Sequence, residues 1–180
     1  MFIIPAGTGM TVADGVADDL LLAVSSNTLI ASAYGKVNVV ILGADRTSSI
    51  LTLADCTGMS FSAVANQSYF FYFGVIYQSV ATTTGINLSI DGPASPTFVE
   101  WQRNTWQTVT VVDQGSGRVY NVAGTSVSVD IVDTDTFASL DGTIANGSNA
   151  GTLILRFASE VDTSQVTVKA GSFLLWQRIA

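Results

Sequence analysis

The residues able to do chemistry are few, and their types exclude most of it. The 180-residue chain has no histidine. That removes Ser-His-Asp and Cys-His catalysis, imidazole acid–base work and His-ligated metals. The single cysteine, Cys56, has no sequence partner to activate its thiol and none for an intrachain disulfide. It reads as a small buried hydrophobe. No glycine pattern follows a strand and opens a helix, so no phosphate cradle is predicted. Carboxylates remain, and a glycosidase needs only two. Asp130, Asp133, Asp135 and Asp141 lie near one another in sequence. Asp133-Thr134-Asp135 offers oxygen ligands to Ca²⁺, but it lacks the glycine and closing glutamate of a calcium loop and reads as a solvated turn. Asp91, ahead of Gly92-Pro93, reads as a turn residue capping backbone amides. Glu100 beside Trp101, with Trp106 close by, would grip a sugar if the rings are exposed; packing in a core or interface is the commoner use of such rings. Asn66-Gln67-Ser68, Asn87-Leu88-Ser89 and Asn146-Gly147-Ser148 match the glycosylation acceptor pattern, which has meaning only in a secreted chain. The opening residues MFIIPAGTGM place no basic stretch ahead of their apolar ones, so no signal peptide is read there. No enzymatic activity, no cofactor and no metal are expected.

Charge narrows the partners. The formal net charge is −7, and the seven Lys/Arg are spread singly. Without a basic cluster to neutralise phosphates, neither nucleic acid nor an anionic membrane surface is expected as a partner. Charged residues make up 12% of the chain, against the roughly 25% usual in soluble domains, and the mean hydropathy is +0.43. The longest apolar runs, Leu20–Val24 and Tyr69–Val80, are too short or too interrupted for the roughly 18 residues of a membrane-spanning helix. A chain this apolar is expected to hide surface in a homo-oligomer, for which cyclic symmetry is the default.

The elements that must position these residues alternate with period two. Residues 1–35 contain Asp14, Asp18 and Asp19 but no Lys or Arg; they read as an extended arm or added edge strand, or equally as a first strand tucked into the domain. From Val37 onward the pattern is strand, turn, strand. The expected strands are Val37–Leu42, Ser48–Leu53, Met59–Val64, Tyr69–Val80, Ile86–Ile90, Thr97–Arg103, Trp106–Val112, Val127–Ile131, Phe137–Ile144 (a weaker pattern), Leu153–Phe157, Val166–Val168 and Phe173–Arg178. Ala44–Thr47, Asp55–Gly58, Asn66-Gln67, Asn146–Ser148 and Ala170-Gly171 are read as breaks. About ten short strands with a turn signal roughly every 8–15 residues, and no segment holding a helical period, describe one all-β domain over 36–180. An antiparallel β-sandwich follows, with jelly-roll connectivity as first choice.

One strand says something about assembly. Along Tyr69–Val80, one register holds Tyr69, Phe71, Phe73, Val75 and Tyr77; the other holds Phe70, Tyr72, Gly74, Ile76 and Gln78. A sheet with one wet face would show polar residues in one of the two. One register is therefore expected in the core and the other against something besides water, either another subunit or an arm of the same chain. Ile154 against Leu153 and Leu155, and Leu174 and Trp176 against Phe173 and Leu175, repeat the pattern. Phe70, Tyr72, Ile76, Ile154, Leu174 and Trp176 are the residues expected at a subunit interface. In the arm, Phe2, Ile3, Ile4, Leu20, Leu21 and Leu22 are the expected apolar anchors.

Several segments carry a family resemblance. Asp45-Arg46-Thr47-Ser48-Ser49-Ile50-Leu51-Thr52-Leu53 followed by Asp55-Cys56-Thr57-Gly58-Met59-Ser60-Phe61, then Gln78–Ile86 and Gly92–Thr97, then Gly151–Glu160 and Lys169–Leu174, together resemble a module of tailed-phage structural proteins. The resemblance covers roughly residues 40–180. It implies a trimeric jelly roll of tumour-necrosis-factor-like shape, found as capsid decoration (cement) proteins, head fibres and tail-fibre tips. It carries no catalytic motif. The arm departs from the module, and an arm on a stand-alone chain favours a decoration protein anchored on the major capsid protein. The alternative is a head- or tail-fibre module that binds a host surface glycan; a glycan hydrolase ranks third. On either of the first two readings the chain belongs to a virion, assembled in the host cytoplasm.

Overall fold

A computed structural model describes residues 36–106, 112–122 and 132–180. The arm residues Phe2, Ile3, Ile4, Leu20, Leu21 and Leu22 lie outside the described residues, as do Asp130 and the strand expected at Val127–Ile131.

Eleven strands are described: β1 (Val37–Ile41), β2 (Arg46–Ser48), β3 (Ala54–Ala63), β4 (Ser68–Ser79), β5 (Ile86–Asp91), β6 (Phe98–Trp106), β7 (Val112–Gly117), β8 (Thr136–Ala145), β9 (Gly151–Ser159), β10 (Val166–Val168) and β11 (Phe173–Arg178). No helix occurs among the described residues, and every strand pair is antiparallel. The large sheet runs β1-β11-β4-β8-β6-β7, with β10 joining β2 to the far end of β4; the small sheet runs β3-β9-β5.

The pairing is nested. β1 lies on β11, β2 on β10, β3 on β9 and β4 on β8. The chain is thus one long antiparallel ribbon, its early strands zipped to its late ones in reverse order, wound across two sheets. That is the winding of a jelly roll, and the molecule is an all-β, jelly-roll-like sandwich. β10 and β11 are two pieces of one strand position beside β4, separated by a loop at 169–172. Ser172 holds that loop to β4 by accepting a hydrogen bond from the Ile76 amide (3.0 Å) and donating to the Lys169 carbonyl (2.8 Å).

Alternation builds the core. Phe71, Phe73, Val75 and Tyr77 of β4, Leu140 and Ile144 of β8, and Leu174 of β11 meet Phe61 of β3, Leu153, Leu155 and Phe157 of β9 and Ile86, Leu88 and Ile90 of β5. At one end Phe61 stacks on Trp176 (centroids 4.7 Å apart, planes 9° apart), with Tyr69 tilted against both. These rings weld β3 to β4 and β11, one sheet to the other.

Several expected boundaries move, among them the break read at Ala44–Thr47, whose Arg46 and Thr47 belong to β2. Asp55–Gly58 is no break but the first half of β3, whose pairing to β9 slips between Asp55 and Ser60. Gly58 takes φ +101° there, a conformation that glycine adopts without strain. Ser48–Leu53 is not a strand: only Ser48 belongs to one, at the end of β2, and the rest is loop. Trp106 ends β6 instead of opening the next strand, and β7 begins at Val112.

Candidate functional site

The outward face of the large sheet brings together aromatic, aliphatic and carboxylate side chains from six strands. Its registers place residues in rows. Ile41, Phe173 and Gly74 form one row, and Val39, Leu175, Tyr72, Asp141, Gln102 and Ser116 form the next. Gln177, Phe70, Thr143 and Glu100 form a third, and Ile76 stands beside Phe137 in a fourth.

Across those rows the face divides. Over β1, β11 and β4 it is apolar. Val37, Val39 and Ile41 are 56%, 59% and 66% exposed on the outermost strand, and Phe173 stacks on Tyr72 at 6.0 Å. Gly74 explains how Phe173 sits so low, since a Cβ there would meet its ring at 2.4 Å. Over the middle of β8, β6 and β7 the face is polar, with Phe137 of β8 and Phe98 and Trp106 of β6 exposed toward the strand ends. Gln102 Nε2 donates to Asp141 Oδ2 (3.1 Å), Gln114 Nε2 to Asn104 Oδ1 (3.0 Å) and Arg118 Nε to Glu100 Oε1 (3.0 Å).

Six residues were expected to share one interface, and the fold separates them. Phe70, Tyr72 and Ile76 are on the outward face of the large sheet, half-buried or exposed. Leu174 and Trp176 are corrected: their register partners on β4 are Phe73 and Phe71, so both face the core, where Leu174 is 0% exposed and Trp176 stacks on Phe61. Their neighbours Phe173 and Leu175 are the outward pair. Ile154 is also placed elsewhere, on the outer side of the small sheet opposite Ser60 and Asp91. The residues that sequence reasoning did not assign to this face, Val37, Val39, Ile41, Phe173 and Leu175, were present in its alternation. Which parity pointed outward required the pairing of β11 with β4.

The sugar-gripping trio is also divided. Alternation sends Trp101 into the core, with its Nε1 donating to the Val119 carbonyl at 3.1 Å; Glu100 and Trp106 stay outside, exposed. Asp133 and Asp135 sit in an exposed turn, where Asp133 takes φ 52° and Asp135 Oδ1 accepts from Gln78 Nε2 (2.9 Å). Asp91 does cap, accepting from the Gly92 amide at 2.9 Å. Among the described residues no group of three or more His, Cys, Asp or Glu is gathered closely enough to hold a metal ion. Cys56 is buried, and burial pushes its thiol up to about 12. Asn146 is buried too, donating to the Val64 carbonyl at 2.9 Å.

Arg156 was not singled out by the sequence. It projects from β9 to Asp55 Oδ1 (3.0 Å) and the Leu53 carbonyl (2.7 Å) and also reaches Asn121, which ties the strand's outer side to two loops.

No family model matches the chain, and no curated protein does so significantly. Among solved structures a match is to that of infectious bursal disease virus, Gx strain, at 10% identity and a TM-score of 0.23, over 81% of this chain and 36% of the viral one. At that score the likeness assigns neither fold nor role; the architecture rests on the nested strand pairing.

Proposed function

We propose that the chain is a non-enzymatic structural subunit of a phage virion, a homotrimeric capsid decoration protein that stabilises the head. The observation that carries the oligomer is the apolar half of the outward face. Val39, Ile41, Tyr72, Ile76, Phe173 and Leu175 form a contiguous surface on the strands β1, β11 and β4. Isolated soluble domains rarely leave such a patch to water, and a second copy of the same chain covers it most simply. Phe70 stands at its border with the polar half. The virion assignment is supported by the segment resemblance described above, and the major capsid protein is the partner assigned to residues 1–35.

Light scattering of the purified chain checks the oligomer, with a species near three times the 18.8 kDa monomer as the expected result and a monomer at micromolar concentration as the refuting one. Ile76→Asp is expected to weaken association by several kcal/mol, because it places an unpaired charge in a desolvated contact. A fibre module is the second reading. It is favoured by the exposed polar half of the face, where Phe70, Glu100, Gln102 and Asp141 border a shallow trough.

A further inference from the structure

The trough has a definite construction. On β8, the central strand of the outward face, the side chains of Asp141 and Thr143 are short; they lie between Phe70 on β4 and Glu100 and Gln102 on β6. The short floor and taller walls leave an open recess of about 350 Å³, with Ser116 of β7 lining it beyond Gln102. Its two walls differ in kind. Phe70, 38% exposed, supplies an aromatic surface. The opposite wall and floor supply two carboxylates, an amide and two hydroxyls, oriented in advance by the Gln102–Asp141 hydrogen bond and the Arg118–Glu100 ion pair. A carboxylate that accepts one hydrogen bond keeps further acceptor capacity, and Gln102 uses only its amide nitrogen in that bond.

We propose that this trough binds one neutral pyranose unit of a glycan. A pyranose has an apolar C–H face and an edge of hydroxyls, and the trough offers a matching wall to each. Its volume is at the small-ligand end of ordinary sites, about 300–1,000 Å³. Charge selects the class. Glu100 and Asp141 face an occupant with one cation beside them, Arg118, already paired at 3.0 Å. A phosphorylated or sialylated ligand would therefore meet net negative charge, whereas neutral hydroxyls donate to it. The assignment stands on the trough alone and does not depend on where the chain sits on a virion, or on its oligomeric state.

Saturation-transfer NMR on the full chain tests it, with the methyl glycosides of glucose, galactose, mannose and N-acetylglucosamine as probes and N-acetylneuraminic acid as the charged comparator. At least one neutral glycoside is expected to receive transfer. Phe70→Ala should abolish it, and Asp141→Asn and Glu100→Gln should each weaken binding about tenfold, equal to about 1.4 kcal/mol. Ile154→Ala, on the other sheet, should leave it unchanged. All four positions are at least partly exposed, and unchanged thermal midpoints verify that the variants fold. Transfer to none of the neutral glycosides, transfer to N-acetylneuraminic acid alone, or transfer undiminished in Phe70→Ala or in both carboxylate variants overturns the proposal.

Discussion

Cys56 and Asp45 show how local surroundings set what a residue can do. Burial between the sheets leaves the Cys56 thiol 0% exposed and pushes it up to about 12, so almost no thiolate exists near neutrality. A disulfide reagent such as DTNB is expected to label the native protein only at the rate of its opening, and to label it at once in denaturant; fast stoichiometric labelling of the native chain would contradict the burial. Asp45 is exposed yet has two fixed partners, Lys169 Nζ at 2.6 Å and the Ala170 amide at 2.8 Å. The hydrogen bond from Lys169, then that from Ala170, holds the Asp45 carboxyl below the usual carboxylate range. The same hydrogen bond raises Lys169 above the ordinary lysine range. A lowered carboxyl contributes stability that is complete above its unfolded pKa and lost as pH falls through its folded one; a raised lysine contributes below its unfolded pKa and loses it as pH rises through its folded one. Both contributions are present at neutrality. Urea midpoints of Asp45→Asn should lie below those of the parent at neutral pH and converge with them on acidification. A gap that persists at strongly acidic pH would refute the linkage.

The β6–β7 hairpin shows at the scale of elements why some boundaries were legible and others not. Trp101 lies flat over Gly117, where a Cβ would meet the indole at 2.4 Å, and the indole cannot move aside without breaking its hydrogen bond to the Val119 carbonyl. Gly117→Ala is therefore expected to cost about 1–3 kcal/mol, measurable as a lowered denaturant midpoint. The end of β6 was hidden by Arg103-Asn104-Thr105, whose inward residues Arg103 and Thr105 are polar although buried, so the sequence pattern ended β6 early and placed Trp106 on the next strand. The same difficulty affects β8. Its inward residues Ala138, Leu140, Gly142 and Ile144 include two small ones, so its alternation reads weakly, although it sits in the middle of the large sheet between β4 and β6. β4 is the reverse case. Its limits were legible because Tyr69–Tyr77 is apolar in both registers, and for that reason its inward register was not. Facing was settled by pairing, which brings Leu174 to Phe73 and Trp176 to Phe71. Of the candidate site, Phe70, Tyr72 and Ile76 were legible as a strand's second apolar face. The trough was not, because Asp141 and Gln102 are 39 residues apart and meet only through the β6–β8 register.

For the whole molecule, the order of winding matters more than any single contact. If the apolar half of the outward face meets other copies and residues 1–35 meet a capsid, the two associations separate experimentally. Deleting residues 1–30 should leave a folded, trimeric domain that no longer co-sediments with capsids lacking the decoration protein. Equal co-sedimentation of the truncated and full-length chains would remove the anchoring role from the arm. The nested ribbon also determines how the domain answers a pull. β1 and β11 are antiparallel partners, with Val37 opposite Gln177, so Lys36 and Arg178 emerge side by side from the same end of the ladder. Tension between them would load the β1–β11 hydrogen bonds one at a time, peeling an edge strand off instead of shearing a whole ladder at once. Under force the sandwich is thus a zipper that opens at its outermost pair, while a pull between Lys36 and the far end of β4 at Ser79 would meet a much stiffer body. Single-molecule extension along those two directions should give a low, gradual yield for the first and a higher, abrupt one for the second.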